Sequence, residues 1–247
     1  MVNDKSKADL FPGLIFSARD LDLSNLPKID SHLHTNWTDG ESSVSDVYSV
    51  AVSQGLRTIL FSEHSRKTST SWFEKFANEV RALPLSPCRA YVGTEVKVET
   101  RSGNIDTNST ISNACDFVMA SVHRFIDKND STVQFEDTNP EQAITYEYDL
   151  TWAVLSNPKV DILGHMFGMS YRRFGRRPSG HLIQELIARA ALNNVAVEIN
   201  SYYHPNTLQM LYWCQELNAN VTFGSNAHSL KEVGAIVRQL DHELANA

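Results

Sequence analysis

Thiols are scarce in this chain. The three cysteines, Cys88, Cys115 and Cys214, form no CxxC pair and are odd in number. That pattern argues against a disulfide framework and reads as buried thiols in a reducing compartment. Long apolar runs are missing too. No stretch of about 18 apolar residues suggests a membrane span, and the start, "MVNDKSKADLFPGLIF", holds none long enough for a signal peptide. The expectation is a cytoplasmic protein with no membrane partner. Positive charge is in deficit: the net charge of −7 disfavours a general nucleic-acid binder, although it leaves room for a local basic pocket. Glycine and proline are also few, 11 and 8 residues. With 42% hydrophobic and 21% charged residues, the chain is neither disordered nor fibrous.

What is present is a recurring unit. Short β-rich runs alternate with longer amphipathic stretches along the 247 residues. "PKIDSHLH" (27–34), "RTILFSEH" (57–64), "RAYVGTEVKV" (89–98), "DFVMASVH" (116–123), "VDILGHM" (160–166), "VAVEINS" (195–201) and "NVTFGSNAH" (220–228) read as seven strands. Their Ile, Val, Leu and Phe lack clean alternation, as expected when both faces are covered. Helical patterns lie at 43–55, 181–194, 206–219 and 229–244. The last opens with Ser229 and has Glu232 three residues on, a capping-box pattern. Segments 124–139 and 167–180 read as long loops. Strands alternating with helices predict an α/β fold with a parallel sheet, open or closed into a barrel. No linker divides the chain. Residues 1–26 read as an amino-terminal appendage and 27–247 as one domain.

Polar side chains gather at one position in each unit. His32 and His34, then His64, Glu95, His123, His165, Asn200, and finally Asn226 and His228, all fall late in or just after a predicted strand. In a parallel barrel those carboxyl ends meet at one mouth. Residues i and i+2 of a strand project to one face, so His32 and His34 can grip the same ion. Imidazoles and a carboxylate without thiolates suit zinc, manganese or iron. Glu95 has two oxygens and can bridge two ions, and paired ions suit hydrolysis at phosphorus. A lone strand-end histidine is more often a packing residue than a ligand, but that reading must explain the same coincidence in five units. His181 and His242 fall outside the pattern and His204 only follows the sixth strand.

In order along the chain, "DSHLHTNWTDG", "FSEHS", "GTEVKV", "ASVH", "ILGHM", "EINS" and "GSNAH" resemble the successive motifs of the PHP (polymerase and histidinol phosphatase) family, over about residues 28–230. The resemblance implies a distorted (β/α)7 TIM-like barrel with the site at the carboxyl ends of the strands. It implies two or three divalent metal ions and phosphoester hydrolysis. It assigns His32, His34, Glu95 and the residue at 226 to one metal, Glu95, His123 and His165 to a second, and Asp39, His64 and His228 to a third. Glu95 and His228 are expected to act in catalysis as well. Two positions depart from the family pattern. Asn226 stands where the family has Asp, which removes one negative charge. Glu63 precedes His64 where the family has Asp, which lengthens the arm.

The loop "SYRRFGRRPSG" follows His165 and carries Arg172, Arg173, Arg176 and Arg177 without a nearby acid in sequence. Arginines match phosphate oxygens in bidentate geometry, so the loop is a candidate phosphate clamp. A solvated loop, or a contact with an acidic subunit, is the plainer alternative. The leading expectation is a metal-dependent phosphoesterase acting on a phosphomonoester of a small metabolite by metal-activated water. A nucleotide phosphodiesterase or nuclease, a metal-dependent C–N hydrolase, and a non-enzymatic metal-binding protein are the alternatives. Asn226 and the expected lack of a strand-end lysine disfavour C–N hydrolysis.

Overall fold

Eight strands make one sheet in the computed structural model, which describes residues 11–247. The first, β1 (Phe16–Ser17), pairs antiparallel with the last. Then come β2 (Ile29–Leu33), β3 (Thr58–His64), β4 (Arg89–Lys97) and β5 (Phe117–Ser121). A separate hairpin, β6 (Phe125–Ile126) with β7 (Thr132–Val133), follows. The sheet resumes with β8 (Ile162–Leu163), β9 (Ala196–Asn200) and β10 (Asn220–Gly224). The order β1-β10-β9-β8-β5-β4-β3-β2 contains seven mutually parallel strands in chain sequence, joined by six parallel pairings, and they are the seven predicted strands. The sheet curls until β2 meets the chain just beyond β10. Backbone hydrogen bonds close that seam: the N–H of Ala227 donates to His32 O (3.0 Å), the N–H of His34 to Ala227 O (2.9 Å) and the N–H of Glu41 to His228 O (2.7 Å).

The helices are α1 (Val44–Ser53), α2 (Phe73–Arg81), α3 (Ser109–Ala114), α4 (Pro140–Val154), α5 (Gly168–Arg172), α6 (Gly180–Leu192), α7 (Thr207–Glu216) and α8 (Ala235–Ala245). α1, α6 and α7 fall where periodicity puts them. α8 starts six residues later than predicted. The Glu232 carboxylate accepts from the N–H groups of His228 and Ser229 (2.9 Å each), so it closes a turn instead of capping a helix. α2 and α4 are not among the predicted helices. α4 opens with a full capping box, Asn139 with Gln142, and Pro140 at its first turn. The two predicted loops are partly ordered: 124–139 contains the β6–β7 hairpin, and 167–180 contains α5.

Alternation along the strands explains where the core and the polar mouth lie. Outward residues such as Ile59, Phe61, Val92, Val118, Val197 and Phe223 join the large apolar layer under the helices. Inward residues change character along each strand. β3 runs Leu60, Ser62, His64; β4 runs Tyr91, Gly93, Glu95, Lys97; β5 runs Phe117, Met119, Ser121; β9 runs Ala196, Glu198, Asn200. Leu60, Tyr91, Phe117, Met119, Ile162 and Ala196 form a separate buried cluster with Leu14 at the amino-terminal end. Phe11 stands edge-on to Tyr91 and Phe117. Of segment 1–26, residues 1–10 lie outside the described residues, and 11–18 seal this bottom end. Burial of each such side chain stabilises by about 1.5–3 kcal/mol. The polar residues are thereby left to the other mouth. No helix among the described residues is long and apolar enough to cross a membrane.

Candidate metal centre

Three groups of side chains converge at the carboxyl-terminal mouth. His34, Asp39, His64 and His228 form the first, His32, His34 and Glu95 the second, His64, Glu95 and His123 the third; within each group the candidate ligand atoms lie within 4.8 Å of one another. The groups share members, so this is one cluster. Glu95 is its centre. One carboxylate oxygen lies 2.8 Å from His165 Nε2 and 3.1 Å from His123 Nε2. The other lies 3.0 Å from His64 Nδ1, 3.4 Å from His32 Nε2 and 3.7 Å from His34 Nε2. Asp39 comes from the turn after β2. Its oxygens lie 3.4 Å from the Nε2 atoms of His64 and His228 and 3.8 Å from His34 Nδ1.

Burial and charge fit a cation. His32 Nε2, both ring nitrogens of His34, His64 Nδ1 and Glu95 Oε2 are buried with no hydrogen-bond partner, a costly state for polar atoms unless an ion collects them. Burial opposes ionisation of Glu95, but His123, His32 and His64 outweigh it and hold its carboxyl well below the usual range. Burial and the neighbouring His32 push His34 well below its ordinary range. Its imidazole is therefore neutral, as a ligand must be. Burial also opposes charge on His32, yet Glu198 and Glu95 prevail and raise it well above the ordinary range.

Two orienting contacts aim the rings. His32 Nδ1 lies 2.7 Å from Glu198 Oε1. A carboxylate only accepts, so Nδ1 carries a proton and Nε2 faces Glu95. Glu198 Oε1 also accepts from Asn200 Nδ2 (2.7 Å), and Oε2 accepts from the N–H of His165 (2.6 Å). His228 Nδ1 donates to the carbonyl of Asn226 (3.0 Å), which leaves Nε2 toward Asp39. Glu198 is a functional residue that the sequence reasoning missed. Its signal is a charged residue inside the apolar run "VAVEIN", two before Asn200 and so on the same face.

The arrangement differs in detail from the sequence-based grouping. His34 lies with Asp39, His64 and His228 as well as with His32, and His64 lies with Glu95 and His123. His165 touches Glu95 and His123. Asn226 is buried with φ 53, a left-handed conformation that Asn tolerates, and its carbonyl serves His228. Glu63 does not face the cluster. It accepts from the N–H and hydroxyl of Thr35 (2.7 and 2.6 Å) and from the hydroxyl of Thr38, and so pins the turn that carries Asp39. His204 is a structural residue: Nδ1 accepts from the N–H of Asn200 and Nε2 donates to Met166 O. His181 is exposed beside Glu185.

The arginine loop splits in two. Arg173 stacks on Phe135 and reaches Glu136, and Arg176 pairs with Glu141 at 2.6 Å. Acids remote in sequence thus neutralise both. Arg172 lies over the Tyr202 ring at 4.0 Å. With Arg177, Tyr202 and Tyr203 it lines a cleft of about 360 Å³. The Tyr203 ring packs 4.1 Å from that of His165, so cleft and histidine cluster share a wall. Glu147, buried in α4, fixes the start of this loop by accepting from the N–H groups of Met169 and Ser170. A lysine does end a strand: Lys97 is the last residue of β4, contrary to the expected lack of one. It lies two residues outward of Glu95, the carboxylate at the centre of the cluster.

A family model described as the PHP domain matches residues 30–202. The chain belongs to the PHP domain family. It is 24% identical over 217 residues to the DNA polymerase/3'-5' exonuclease PolX of Bacillus subtilis (strain 168), covering 83% of this chain and 35% of that protein. The match therefore spans about a third of the length of PolX. A protein named as a probable phosphatase from Photobacterium profundum is 26% identical over 222 residues, 83% of this chain and 80% of that one. Among solved structures, the histidinol phosphate phosphatase of Lactococcus lactis subsp. lactis Il1403, complexed with zinc, L-histidinol and phosphate, superposes with a TM-score of 0.65 at 20% identity. The alignment covers 88% of this chain and 93% of that one. The PHP-type barrel is thus the shared frame.

Proposed function

We propose that this PHP domain is a metal-dependent phosphoesterase that hydrolyses a phosphomonoester of a small molecule. The observation that carries the reading is the convergence of partnerless buried atoms on His32, His34, His64 and Glu95 beside Asp39, His123 and His228. The phosphatase name of one relative and the zinc, histidinol and phosphate of one similar structure support it. Divalent ions held by these ligands supply a water of lowered pKa and compensate charge on phosphoryl oxygens.

The residues divide the remaining work. Glu95 belongs to two of the ligand groups, so its carboxylate can balance two cations at once. Glu198 and the Asn226 carbonyl keep His32 and His228 in ligand-ready tautomers. Asp39, half exposed at the rim, is where solvent reaches the cluster. Arg172 and Arg177 face the adjoining cleft, from which they can hold phosphate oxygens in bidentate fashion.

A second reading, a phosphodiesterase or nuclease, is favoured by the likeness to PolX, whose name includes a 3'-5' exonuclease. One screen tests both: full-length protein loaded with manganese, zinc or iron, offered phosphomonoesters and dinucleotides. Phosphate release from a monoester is the expected result. Dinucleotide cleavage alone would replace the first reading with the second. Tight metal binding with no turnover on any ester would leave a metal-binding protein.

A further inference from the structure

Three adjacent strands carry a cation just outward of a candidate ligand. On β3 and its continuation, Arg66 follows His64 by two residues; on β4, Lys97 follows Glu95 by two; after β5, Arg124 follows His123. The register places His64 beside Glu95 and Lys97 beside Ser121. Lys97 is therefore on the inward face of β4, roughly 6.6 Å beyond Glu95 along the strand. Arg66 follows β3 and Arg124 follows β5, the two strands that flank β4, so the three cations leave neighbouring strands at the same outward end.

None of them has an ion-pair partner among the described residues. Asp106, whose N–H donates to the carbonyl of Lys97 (3.0 Å), brings one carboxylate near Lys97 and accepts from the N–H of Lys67 (3.0 Å), while the Lys67 side chain pairs with Glu99. Arg124 Nε is buried and makes no hydrogen bond. Three cations on neighbouring strands repel one another, and Asp106 offsets only part of that charge. A buried guanidinium nitrogen without an acceptor adds to that cost. Both costs are relieved by an anion seated among them. The neighbouring cluster does not supply one, because its carboxylate, Glu95, lies roughly 6.6 Å back along the strand and faces the five imidazoles.

We infer that Arg66, Lys97 and Arg124 form a second anion site beside the metal centre, selecting phosphoesters that carry another anionic group, phosphate or carboxylate, a few bonds from the scissile phosphate. Substrates that carry an ammonium instead are rejected there. The inference rests on the reading of the ligand cluster as a phosphate-holding metal centre and narrows its substrate class. Arg172 and Arg177 of the 170–180 loop line a different cleft, on the side of Tyr203.

Non-hydrolysable phosphonates of one length test it without turnover. The manganese-loaded full-length chain is titrated calorimetrically with n-propylphosphonate, 3-phosphonopropionate, 1,3-propylenediphosphonate and 3-aminopropylphosphonate. The carboxylate and diphosphonate compounds should bind at least about tenfold more tightly than propylphosphonate, in keeping with charge-assisted hydrogen bonds. The amino compound should bind more weakly than propylphosphonate. The carboxylate and diphosphonate arms show which second anion fits better. Lys97→Gln, Arg124→Gln and the exposed Arg66→Gln should each shrink the advantage severalfold. In the parent, raising salt from about 0.02 M to 0.5 M should shrink it as well, a readout that needs no variant. Equal affinities in the parent, or an advantage unchanged by all three variants and by salt, would overturn the inference. So would failure of every phosphonate to bind, and a positive turnover screen beside that failure would show that the hydrolase reading survives. A selective titration with no ester turned over would sink the hydrolase reading and leave the anion site standing.

Discussion

Glu198→Gln isolates the orienting contact behind His32. The native carboxylate has three donors on two oxygens: His32 Nδ1 and Asn200 Nδ2, each 2.7 Å from Oε1, and the N–H of His165, 2.6 Å from Oε2. All are buried, so no water replaces a lost partner. Glutamine has the same shape and one acceptor oxygen. If that oxygen serves His165, the amide NH₂ meets two donors. If it serves His32 and Asn200, the NH₂ meets a backbone N–H. Either way at least one charge-assisted hydrogen bond, about 1.5–3 kcal/mol, is forfeited. His32 escapes the clash by moving its proton to Nε2, the atom that faces Glu95. Metal affinity should fall about 10- to 100-fold, the usual cost of removing an orienting partner. Competition against a chromogenic chelator at neutral pH measures it, with circular dichroism as the control for fold. The same change in a His32→Ala background should cost little more, because the coupling runs through His32. Parental affinity in the single variant, or full additivity in the double, would refute the reasoning.

Other outcomes follow from the same geometry. Glu95→Gln should lower turnover by at least about 100-fold and reduce bound metal measured by elemental analysis, since a neutral amide cannot compensate two cations. Asn226→Asp keeps a residue type that tolerates φ 53 and restores a carboxylate, so metal occupancy or activity should rise; equal occupancy and activity would show the Asn to be an adaptation. Arg172→Ala or Arg177→Ala should raise KM about 10- to 100-fold on a verified substrate, whereas Arg173→Ala and Arg176→Ala, whose partners are Glu136 and Glu141, should stay within about twofold. Metal binding should also strengthen as pH rises through neutrality. Glu198 and Glu95 overcome burial to raise His32, and Glu95 and Asp39 do the same for His64, so in the metal-free protein both hold protons above the ordinary range that an ion must displace. A pH-independent affinity would contradict those assignments.

Much of the frame is legible in the sequence because burial on both faces leaves a strong mark: seven apolar runs, each ending in a polar residue. The candidate ligands are visible for the same reason, since His32, His34, His64, His123 and His165 interrupt or close such runs. Glu198 is hidden because it sits inside a run and its role depends on a partner 166 positions away. The pairing of Arg173 and Arg176 is hidden likewise, as Glu136 and Glu141 come from a stretch read as loop and its border. α4 escapes the periodicity although its Asn-Pro-Glu-Gln start is a legitimate helix signal; the polar stretch before it masks the boundary. α8 is placed too early because a Ser-x-x-Glu pattern also describes a turn in which Glu232 serves backbone N–H groups.

The seam between β2 and β10 has a mechanical consequence. The backbone hydrogen bonds there gather at Ala227 and His228, with His32 and His34 on one side and His228 on the other. An ion gripped from both sides is a rivet joining the first strand of the barrel to the end of the last. Slow exchange of the amide protons of His34 and Ala227 would then report a loaded protein, and chelation would loosen the joint where the ring of strands closes.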